Sequence, residues 1–205
     1  KFLTFNECDD LINAAKDKLS KSMVNSIDLK GNYTTIYDDN SRTSSQSWID
    51  IYKYNNIAQK VINLINEYTD YDITIKNFEN IQVAKYLVNQ EYKFHLDICH
   101  PYQAKKEHLQ SCKGEFKKHK SVRFITVIIY LNDNFKGGYT DFPNLNVQIK
   151  PSKGKALLFF NCIPNNESHK TGLGDVIYNS MHAGLPVTSG EKWIANFWIR
   201  LKNFS

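Results

Sequence analysis

The spacing of apolar residues along the chain changes character near residue 80. Before that point, two segments carry apolar residues three and four positions apart, which predicts amphipathic helices. The first helix is predicted to begin at Thr4, which has capping-box spacing to Glu7, and the second to extend from about Asn56 to Tyr68. Between them, residues 31–47 are polar and turn-rich.

From Ile81 onward, short runs of β-branched and aromatic residues alternate with clusters of Gly, Pro and Asn, which predicts a series of strands. The predicted strands are Ile81–Leu87, Tyr92–Asp97, Val122–Leu131, Val147–Lys150, Ala156–Phe160, Val176–Ser180 and Trp193–Leu201. Two helices followed by such strands favour helices packed on one sheet of an antiparallel sandwich or barrel. We therefore expect a single domain over residues 1–205, with a helical support region at 1–80 and a β core at 81–205.

The segment 98–121 interrupts the strand pattern and is predicted to be an irregular, lysine-rich loop. We interpret it as a solvated, mobile loop, and the alternative is a lid that steers substrate beside an active site. Its cysteines and histidines offer a zinc site as a weaker alternative, because no paired Cys-x-x-Cys spacing is present. These residues are Cys99, His100, His108, Cys112 and His119.

Composition narrows the class of protein without naming an activity. The 205 residues are 41% hydrophobic and 23% charged, which suits an ordinary globular core. The longest apolar run, Phe124–Leu131, is far too short to span a membrane. Four cysteines are too few for a disulfide scaffold, and a formal charge of +5 is mild for a nucleic-acid module. We expect a soluble monomer without nucleic-acid or membrane partners and assume a cytoplasmic location, although the cysteine pattern neither demands nor forbids an oxidising compartment.

His95 and Asp97 are the first candidate site residues. They lie two positions apart in a predicted strand, so their side chains project from the same face and can point at a common atom. Such a pair is two thirds of a 2-His-1-carboxylate triad, which binds Fe(II) and leaves coordination positions open. Alone, the pattern is weak, because a strand histidine is more commonly packed or hydrogen-bonded.

A second group of candidates follows at His182 and Lys192. His182 is a plausible third metal ligand at the end of a strand, and Lys192 starts the next strand after a Ser-Gly turn. A cation at this position suits a dicarboxylate cosubstrate, whose far carboxylate must be neutralised inside a barrel. Taken alone, His182 could be a core histidine and Lys192 a surface lysine. Their spacing from each other and their position after His95-x-Asp97 favour a metal site with a bound cosubstrate.

Several further motifs occur in a fixed order along the chain. They are Arg42-Thr43-Ser44-Ser45, Ile81–Tyr86, Gln90-Glu91-Tyr92, Arg123–Asp133, Gly137–Pro143, Pro151–Ala156 and His182–Trp198. With these motifs, the chain resembles the Fe(II)/2-oxoglutarate-dependent dioxygenases of the prolyl 4-hydroxylase α-subunit type. The resemblance covers nearly the whole chain.

The resemblance implies an α+β, mainly β, fold: a double-stranded β-helix (a jelly-roll or cupin-like core) with N-terminal helices packed on its larger sheet. It implies that His95, Asp97 and His182 ligate iron as Fe(2+) and that Lys192 pairs with the distal carboxylate of 2-oxoglutarate. The hydrogen-bonding helpers implied for 2-oxoglutarate are Tyr86 and Thr140, and the peptide-contacting residues are Tyr92, Arg123 and Trp198. L-Ascorbate is the implied reductant.

Simpler explanations remain open for the peptide-contacting set. Tyr92 and Trp198 are also explained by core or rim packing, and Arg123 by a structural ion pair. The chain departs from the family pattern at Tyr139, where Glu is usual, and at Arg200, where a peptide-contacting His is common. The first departure makes the role of Thr140 less secure, and the second bears on substrate preference.

The resulting hypothesis is a peptidyl-proline 4-hydroxylase that acts on proline-rich or collagen-like peptides and releases succinate and CO2. A polyproline II strand suits an aromatic-lined groove, because little conformational entropy remains to be lost. One alternative is a hydroxylase of another residue or of one specific folded protein. Another is a non-catalytic peptide-binding module, against which the intact His95, Asp97, His182 and Lys192 set argues.

Overall fold

Two antiparallel β-sheets dominate the computed structural model, which describes residues 1–204. The α-helices of this part of the chain are α1 (Phe5–Ala15), α2 (Asn55–Tyr68), α3 (Leu109–His119) and the short α4 (Ser168–Thr171). Single 3-10 turns occur at Lys16–Lys18, Ile51–Tyr54, Ile75–Asn77, Pro143–Leu145 and Tyr178–Ser180.

The strands follow one another closely along the chain. In the first half they are β1 (Ser20–Lys21), β2 (Val24–Ile27), β3 (Tyr33–Ile36), β4 (Ser45–Ile49), β5 (Ile81–Tyr86), β6 (Tyr92–His95) and β7 (Arg123–Tyr130). In the second half they are β8 (Lys136–Gly137), β9 (Thr140–Phe142), β10 (Val147–Ile149), β11 (Ala156–Phe160), β12 (Cys162–Pro164), β13 (Gly174–Val176), β14 (His182–Gly184), β15 (Val187–Ser189) and β16 (Lys192–Arg200).

The strand order confirms the double-stranded β-helix. The larger sheet has the order β1-β4-β5-β16-β7-β11, and the smaller sheet has the order β10-β9-β14-β6. The last strand, β16, thus lies between β5 and β7, which precede it in the chain by many residues. Three two-stranded pairs, β2–β3, β8–β15 and β12–β13, complete the fold.

Alternate residues of β16 face opposite sides of the larger sheet, as the pleat of a strand requires. On one side, a row of apolar residues packs into the main core beneath α1 and α2, and this row is Trp193, Ala195, Phe197 and Ile199. On the other side, the row lines a pocket and consists of Lys192, Ile194, Asn196 and Trp198. The central strand therefore contributes to the core with one face and to the pocket with the other.

The two long N-terminal helices match the prediction. Thr4 caps α1: its hydroxyl accepts a hydrogen bond from Glu7 N at 3.2 Å, and the Glu7 carboxylate accepts one from Thr4 N at 2.9 Å. The buried stripes of α1 and α2 belong to the same apolar core as the helix-facing residues of β5 and β16. The helices therefore pack on the larger sheet, as expected.

Residues 1–80 contain more than the predicted helices. Strands β3 and β4 lie in the segment 31–47 and its continuation, where only turns were expected, so that expectation is wrong for these residues. β4 pairs with β5 and extends the larger sheet, whereas β2 and β3 form a separate hairpin. The polar sequences of β3 and β4 do not predict strands, because these segments are ordered by pairing with neighbouring strands. The division of residues 1–205 into a helical support region and a β core stays a prediction. Its last residue, Ser205, lies outside the described residues.

The prediction of an irregular loop at 98–121 is wrong for its second half, which forms α3. The buried residues of this helix are Ser111, Cys112 and Glu115, so no conventional apolar stripe marks it in the sequence. Cys112 forms a disulfide with Cys99, which removes both thiols from the alternative zinc site. The predicted strand Val176–Ser180 is also wrong in its bounds, because β13 ends at Val176.

No helix within residues 1–204 combines the length and apolar character needed to cross a membrane.

A buried ion network joins α3 to the larger sheet. Glu79 binds Arg123 at 2.7 Å and Arg200 at 2.8 Å, and Arg200 also binds Glu115 of α3 at 2.7 Å. Burial alone raises the pKa of Glu79, but the two guanidinium groups outweigh burial and lower this pKa to about 2. Two carboxylates thus balance two arginines in a water-poor region.

We predict that Arg200→Leu lowers the free energy of unfolding by about 3–5 kcal/mol, because Glu115 then stays buried without its cation. Chemical denaturation of this variant measures the loss. The control is Lys117→Leu on the exposed side of α3, which we expect to change the free energy by less than about 0.5 kcal/mol. Equal losses in the two variants would contradict a stabilising role for the network.

Candidate metal centre

Strand pairing brings the three candidate ligands together. His95 is the last residue of β6, Asp97 follows two positions later, and His182 begins β14. Because β14 runs antiparallel to β6 with His182 directly opposite His95, residues distant in sequence become neighbours. One ligand atom from each side chain lies within 4.8 Å of the other two.

Backbone carbonyls fix the orientation of both imidazole rings. His95 Nδ1 lies 2.7 Å from the carbonyl oxygen of Lys93, and His182 Nδ1 lies 2.9 Å from that of Ser180. A carbonyl oxygen only accepts hydrogen bonds, so Nδ1 carries the proton in each neutral ring. The Nε2 lone pairs are therefore free, and they lie 3.4 Å (His95) and 3.9 Å (His182) from oxygens of Asp97.

The Asp97 carboxylate is buried and ionised. Burial alone raises the pKa of this group, but His182, His95 and Arg123 outweigh burial and hold the pKa well below its usual range. Its Oδ2 atom accepts hydrogen bonds from the Thr126 hydroxyl at 2.8 Å and from the Trp198 indole N–H at 3.0 Å. The carboxylate is thus fixed in place by donors from the larger sheet.

His182 is neutral near pH 7, because burial first and the neighbouring His95 second lower its pKa to about 4. The Nε2 atoms of both histidines and a carboxylate oxygen of Asp97 converge in this buried space. Such a group of acceptors is unfavourable unless a cation binds it. Two histidines and one carboxylate are the donor set of non-haem Fe(II) oxygenases, so these residues fit an Fe(II) ion.

Lys192 is a buried cation in the same pocket. It begins β16, is 2% exposed, and donates a hydrogen bond from Nζ to the carbonyl oxygen of Gly138 at 2.7 Å. Within residues 1–204, no carboxylate lies at ion-pair distance from Nζ, and burial lowers the pKa of the amine to about 7. A buried amine without a counter-charge is suited to bind an anion.

Tyr86 and Thr140, the two predicted hydrogen-bonding helpers for 2-oxoglutarate, line the same pocket as Lys192. Tyr86 is opposite Lys192 in the β5–β16 pair, and its ring centroid is 5.2 Å from Lys192 Nζ. The Thr140 hydroxyl lies 2.7 Å from that of Tyr130, whose pKa burial raises to about 12. Tyr130 had no predicted role; it lies four residues after Thr126, on the same face of β7.

One pocket contains all of these groups. Its lining consists of Arg42, Tyr86, Tyr92, His95, Asp97, Ile128, Thr140, His182, Gly184, Lys192, Ile194, Asn196 and Trp198. Arg42 is a residue to which sequence analysis gave no role. It is 4% exposed, and its guanidinium lies over the Tyr92 ring at 4.7 Å.

The residues predicted to contact a peptide are in different environments. Tyr92 stacks on His95 with ring centroids 3.5 Å apart, and both Tyr92 and Trp198 line the pocket. Arg123 does not line it; its guanidinium makes two hydrogen bonds to Glu79 and covers the Trp198 ring at 3.7 Å. The ion pair considered as an alternative for Arg123 is therefore present. Arg200 is 1% exposed and belongs to the ion network.

Comparison with known proteins identifies the family. Residues 81–200, more than half of the chain, match the family model described as the 2OG-Fe(II) oxygenase superfamily. The chain belongs to this superfamily. Membership makes it a 2-oxoglutarate-dependent dioxygenase with Fe(II) and 2-oxoglutarate as its cofactors, in agreement with the His95, Asp97 and His182 cluster.

Relatives within the superfamily are named as prolyl hydroxylases. A putative prolyl 4-hydroxylase of Acanthamoeba polyphaga mimivirus is 38% identical over 200 residues, which cover 97% of this chain and 71% of the relative. Probable prolyl 4-hydroxylase 7 of Arabidopsis thaliana is 32% identical over 221 residues, which cover 99% of this chain and 61% of the plant protein. The chain therefore spans less than two thirds of that plant relative's length.

A solved structure shows the same fold. The viral collagen prolyl hydroxylase of Paramecium bursaria Chlorella virus 1, described as a 2OG complex, aligns with a TM-score of 0.66 and 33% identity. The alignment covers 97% of this chain and 92% of the viral chain.

In this superfamily member, bound Fe(II) supplies the oxidising chemistry, and the polypeptide supplies binding, orientation and a water-poor pocket. His95, Asp97 and His182 would hold the metal, and a donor set of three residues would leave coordination positions for other ligands. The pocket walls include the apolar side chains Ile128 and Ile194.

We predict that His182→Ala weakens binding of a divalent metal by more than the roughly 10–100-fold loss typical of a residue that only supports a ligand. Calorimetric titration of the metal-free protein with Mn(II) measures the affinity. His169→Ala is the matched control, because His169 is an exposed histidine outside the cluster. If both variants keep the wild-type affinity, His182 is not a ligand.

Proposed function

We propose that this dioxygenase is a peptidyl-proline 4-hydroxylase that uses Fe(II), O2 and 2-oxoglutarate on proline-rich or collagen-like sequences and releases succinate and CO2. The observation that carries the proposal is one pocket that contains a His-Asp-His cluster and a buried lysine without a carboxylate partner among the described residues. Prolyl hydroxylases at 38% and 33% identity over nearly the whole chain support the choice of proline as substrate.

Lys192 is the proposed partner of the distal carboxylate of 2-oxoglutarate. Within residues 1–204, its ammonium group has only a backbone carbonyl as hydrogen-bond partner, so two of its N–H donors are available. Tyr86 and Thr140 would add hydrogen bonds at the same end of the cosubstrate. Tyr130 would hold the Thr140 hydroxyl in place through their mutual contact.

Tyr92 and Trp198 are the proposed contacts for the substrate peptide. Both aromatic rings line the pocket beside the metal cluster, and a polyproline II strand binds well to aromatic surfaces at low entropic cost. Arg123 would contribute indirectly, because its guanidinium covers Trp198 and is held by Glu79.

Further aspects of the proposal concern reductant, assembly and compartment. L-Ascorbate is proposed as the reductant that restores enzyme inactivated by uncoupled turnover. The chain is proposed to act as a monomer, without nucleic acid or membrane as partner. The Cys99–Cys112 disulfide favours an oxidising compartment over the cytoplasmic location assumed from the sequence.

The direct test is succinate formation from 2-oxoglutarate with Fe(II) and ascorbate, with and without a (Pro-Pro-Gly)-type peptide. We expect peptide-dependent succinate and a peptide heavier by one oxygen atom per event, with the product identified as 4-hydroxyproline. An equally long peptide with alanine in place of proline should give no such increase, and the His182→Ala enzyme should give no succinate.

Other results would redirect the assignment. Succinate without modification of any proline peptide would keep the dioxygenase and point to another residue or a specific folded protein as substrate. Absence of succinate from a metal-loaded protein over a broad peptide panel would favour a non-catalytic peptide-binding module.

We also predict that 2-oxoglutarate binds more weakly as the pH rises above 7. Lys192 has a pKa of about 7 before the cosubstrate binds, and only its protonated form pairs with a carboxylate. Below pH 7 the amine is already charged; above pH 7 it must first take up a proton, so the dissociation constant should rise up to about tenfold per pH unit. Calorimetry from pH 6 to 9 with Mn(II) in place of Fe(II) measures this dependence.

Lys192→Met is the control for this pH dependence. The variant should bind 2-oxoglutarate weakly at every pH and lose the dependence above pH 7, because no titrating amine remains. The same pH dependence in wild type and variant would show that another group causes it and would remove the proposed role of Lys192.

A further inference from the structure

Two donors on one sheet face converge on the same oxygen of Asp97. The side chain of Asp97 is only 6% exposed, and its Oδ2 atom accepts from Thr126 at 2.8 Å and from Trp198 at 3.0 Å. Thr126 and Trp198 are direct cross-strand partners in the β7–β16 pair, so both donors come from one rung of the larger sheet. A hydrogen bond from Thr126 or Trp198 to Asp97 was not predicted from the sequence.

Chemistry fixes the direction of these hydrogen bonds. An ionised carboxylate only accepts, so the Thr126 hydroxyl must donate its single hydrogen to Asp97. The same hydroxyl oxygen lies 2.9 Å from Asn161 Nδ2 and therefore accepts from it. The Asn161 amide therefore donates to the Thr126 hydroxyl, which in turn donates to the Asp97 carboxylate.

Asn161 is itself rigidly held. It is fully buried, its backbone N–H donates to Phe124 O at 2.7 Å, and its carbonyl oxygen accepts from Ile177 N at 3.0 Å. Its side-chain Oδ1 has no protein partner within residues 1–204. Reversing the amide would direct Oδ1 at a Thr126 oxygen whose only hydrogen is already donated, so the orientation with Nδ2 toward Thr126 is the favourable one.

The two Asp97 oxygens consequently differ. Oδ2 accepts from two donors, whereas Oδ1 accepts from neither and lies 3.4 Å from His95 Nε2; the nearest Asp97 oxygen to His182 Nε2 is Oδ2, at 3.9 Å. Trp198 cannot easily rotate away, because Arg123 covers its ring at 3.7 Å and is anchored by Glu79. Asymmetric hydrogen bonding of this kind orients a ligating carboxylate and limits it to one oxygen.

We propose that Thr126, Asn161 and Trp198 are positioning residues for the metal centre: they hold Asp97 so that Oδ1 alone is presented to the metal. Trp198 thus has a second role besides its proposed contact with peptide. This inference rests on the proposed function, because it concerns the same metal site, and it adds residues that act on the metal through Asp97.

The test measures metal binding rather than turnover. Thr126→Val removes the hydroxyl with little change in shape, and Thr126→Ser is the matched control that keeps it. Titration of the metal-free proteins with Mn(II) should show binding weakened by roughly 10–100-fold for Thr126→Val and restored to near wild-type affinity in Thr126→Ser. Trp198→Phe, which removes the indole N–H and keeps an aromatic ring, should also weaken binding.

Thermal unfolding of the metal-free proteins separates positioning from folding. If Thr126→Val does not unfold cooperatively, the comparison of Trp198→Phe with wild type decides the question. Wild-type metal affinity in Thr126→Val and Trp198→Phe, or equal losses in Thr126→Val and Thr126→Ser, would overturn this inference alone. A wild-type protein that binds no divalent metal would overturn the proposed function together with the inference.

Discussion

The central constraint in this structure is the convergence of two imidazole lone pairs and one carboxylate in a buried space. Acceptor atoms within 4.8 Å of one another repel unless a cation lies among them, and burial removes the water that would otherwise screen them. The surrounding structure opposes this repulsion. Antiparallel pairing of β6 and β14 sets the two histidines opposite each other, carbonyls orient their rings, and the larger sheet holds Asp97 by two hydrogen bonds.

Side chains along the strands of the larger sheet alternate between a face that packs in the core and a face that lines the pocket. One face carries the apolar residues that pack beneath α1 and α2, and the other carries the polar residues of the pocket. Some polar groups on the pocket side are hydrogen-bonded to one another, as in the chain of donors that ends at Asp97. The Lys192 amine lacks an acidic partner in residues 1–204, which is the arrangement expected for a site that binds an anionic cosubstrate.

Local patterns in the sequence account for much of the fold. The capping box of Thr4 and Glu7 and the helical spacing up to Tyr68 predict α1 and α2, and the strand pattern predicts an antiparallel sandwich or barrel. The double-stranded β-helix follows from the family resemblance that the ordered motifs carry. Local patterns do not predict α3, because its buried face contains Cys112 and Glu115 in place of an apolar stripe. The buried Glu115 carboxylate pairs with Arg200 and accepts a hydrogen bond from Asn25, and such long-range contacts leave no local signal in the sequence. The spacing of His95, Asp97 and His182 predicts the cluster, whereas the contacts of Thr126 and Asn161 emerge only in three dimensions.

The most direct test is a crystal structure with Mn(II) in place of iron and with 2-oxoglutarate, with the metal located by anomalous scattering. The account predicts a single metal bound by Nε2 of both histidines and by Oδ1 of Asp97, with Oδ2 still hydrogen-bonded to Thr126 and Trp198. It also predicts the distal carboxylate of 2-oxoglutarate at Lys192 Nζ. A metal at another position, a metal bound through Oδ2, or a carboxylate away from Lys192 would contradict the account.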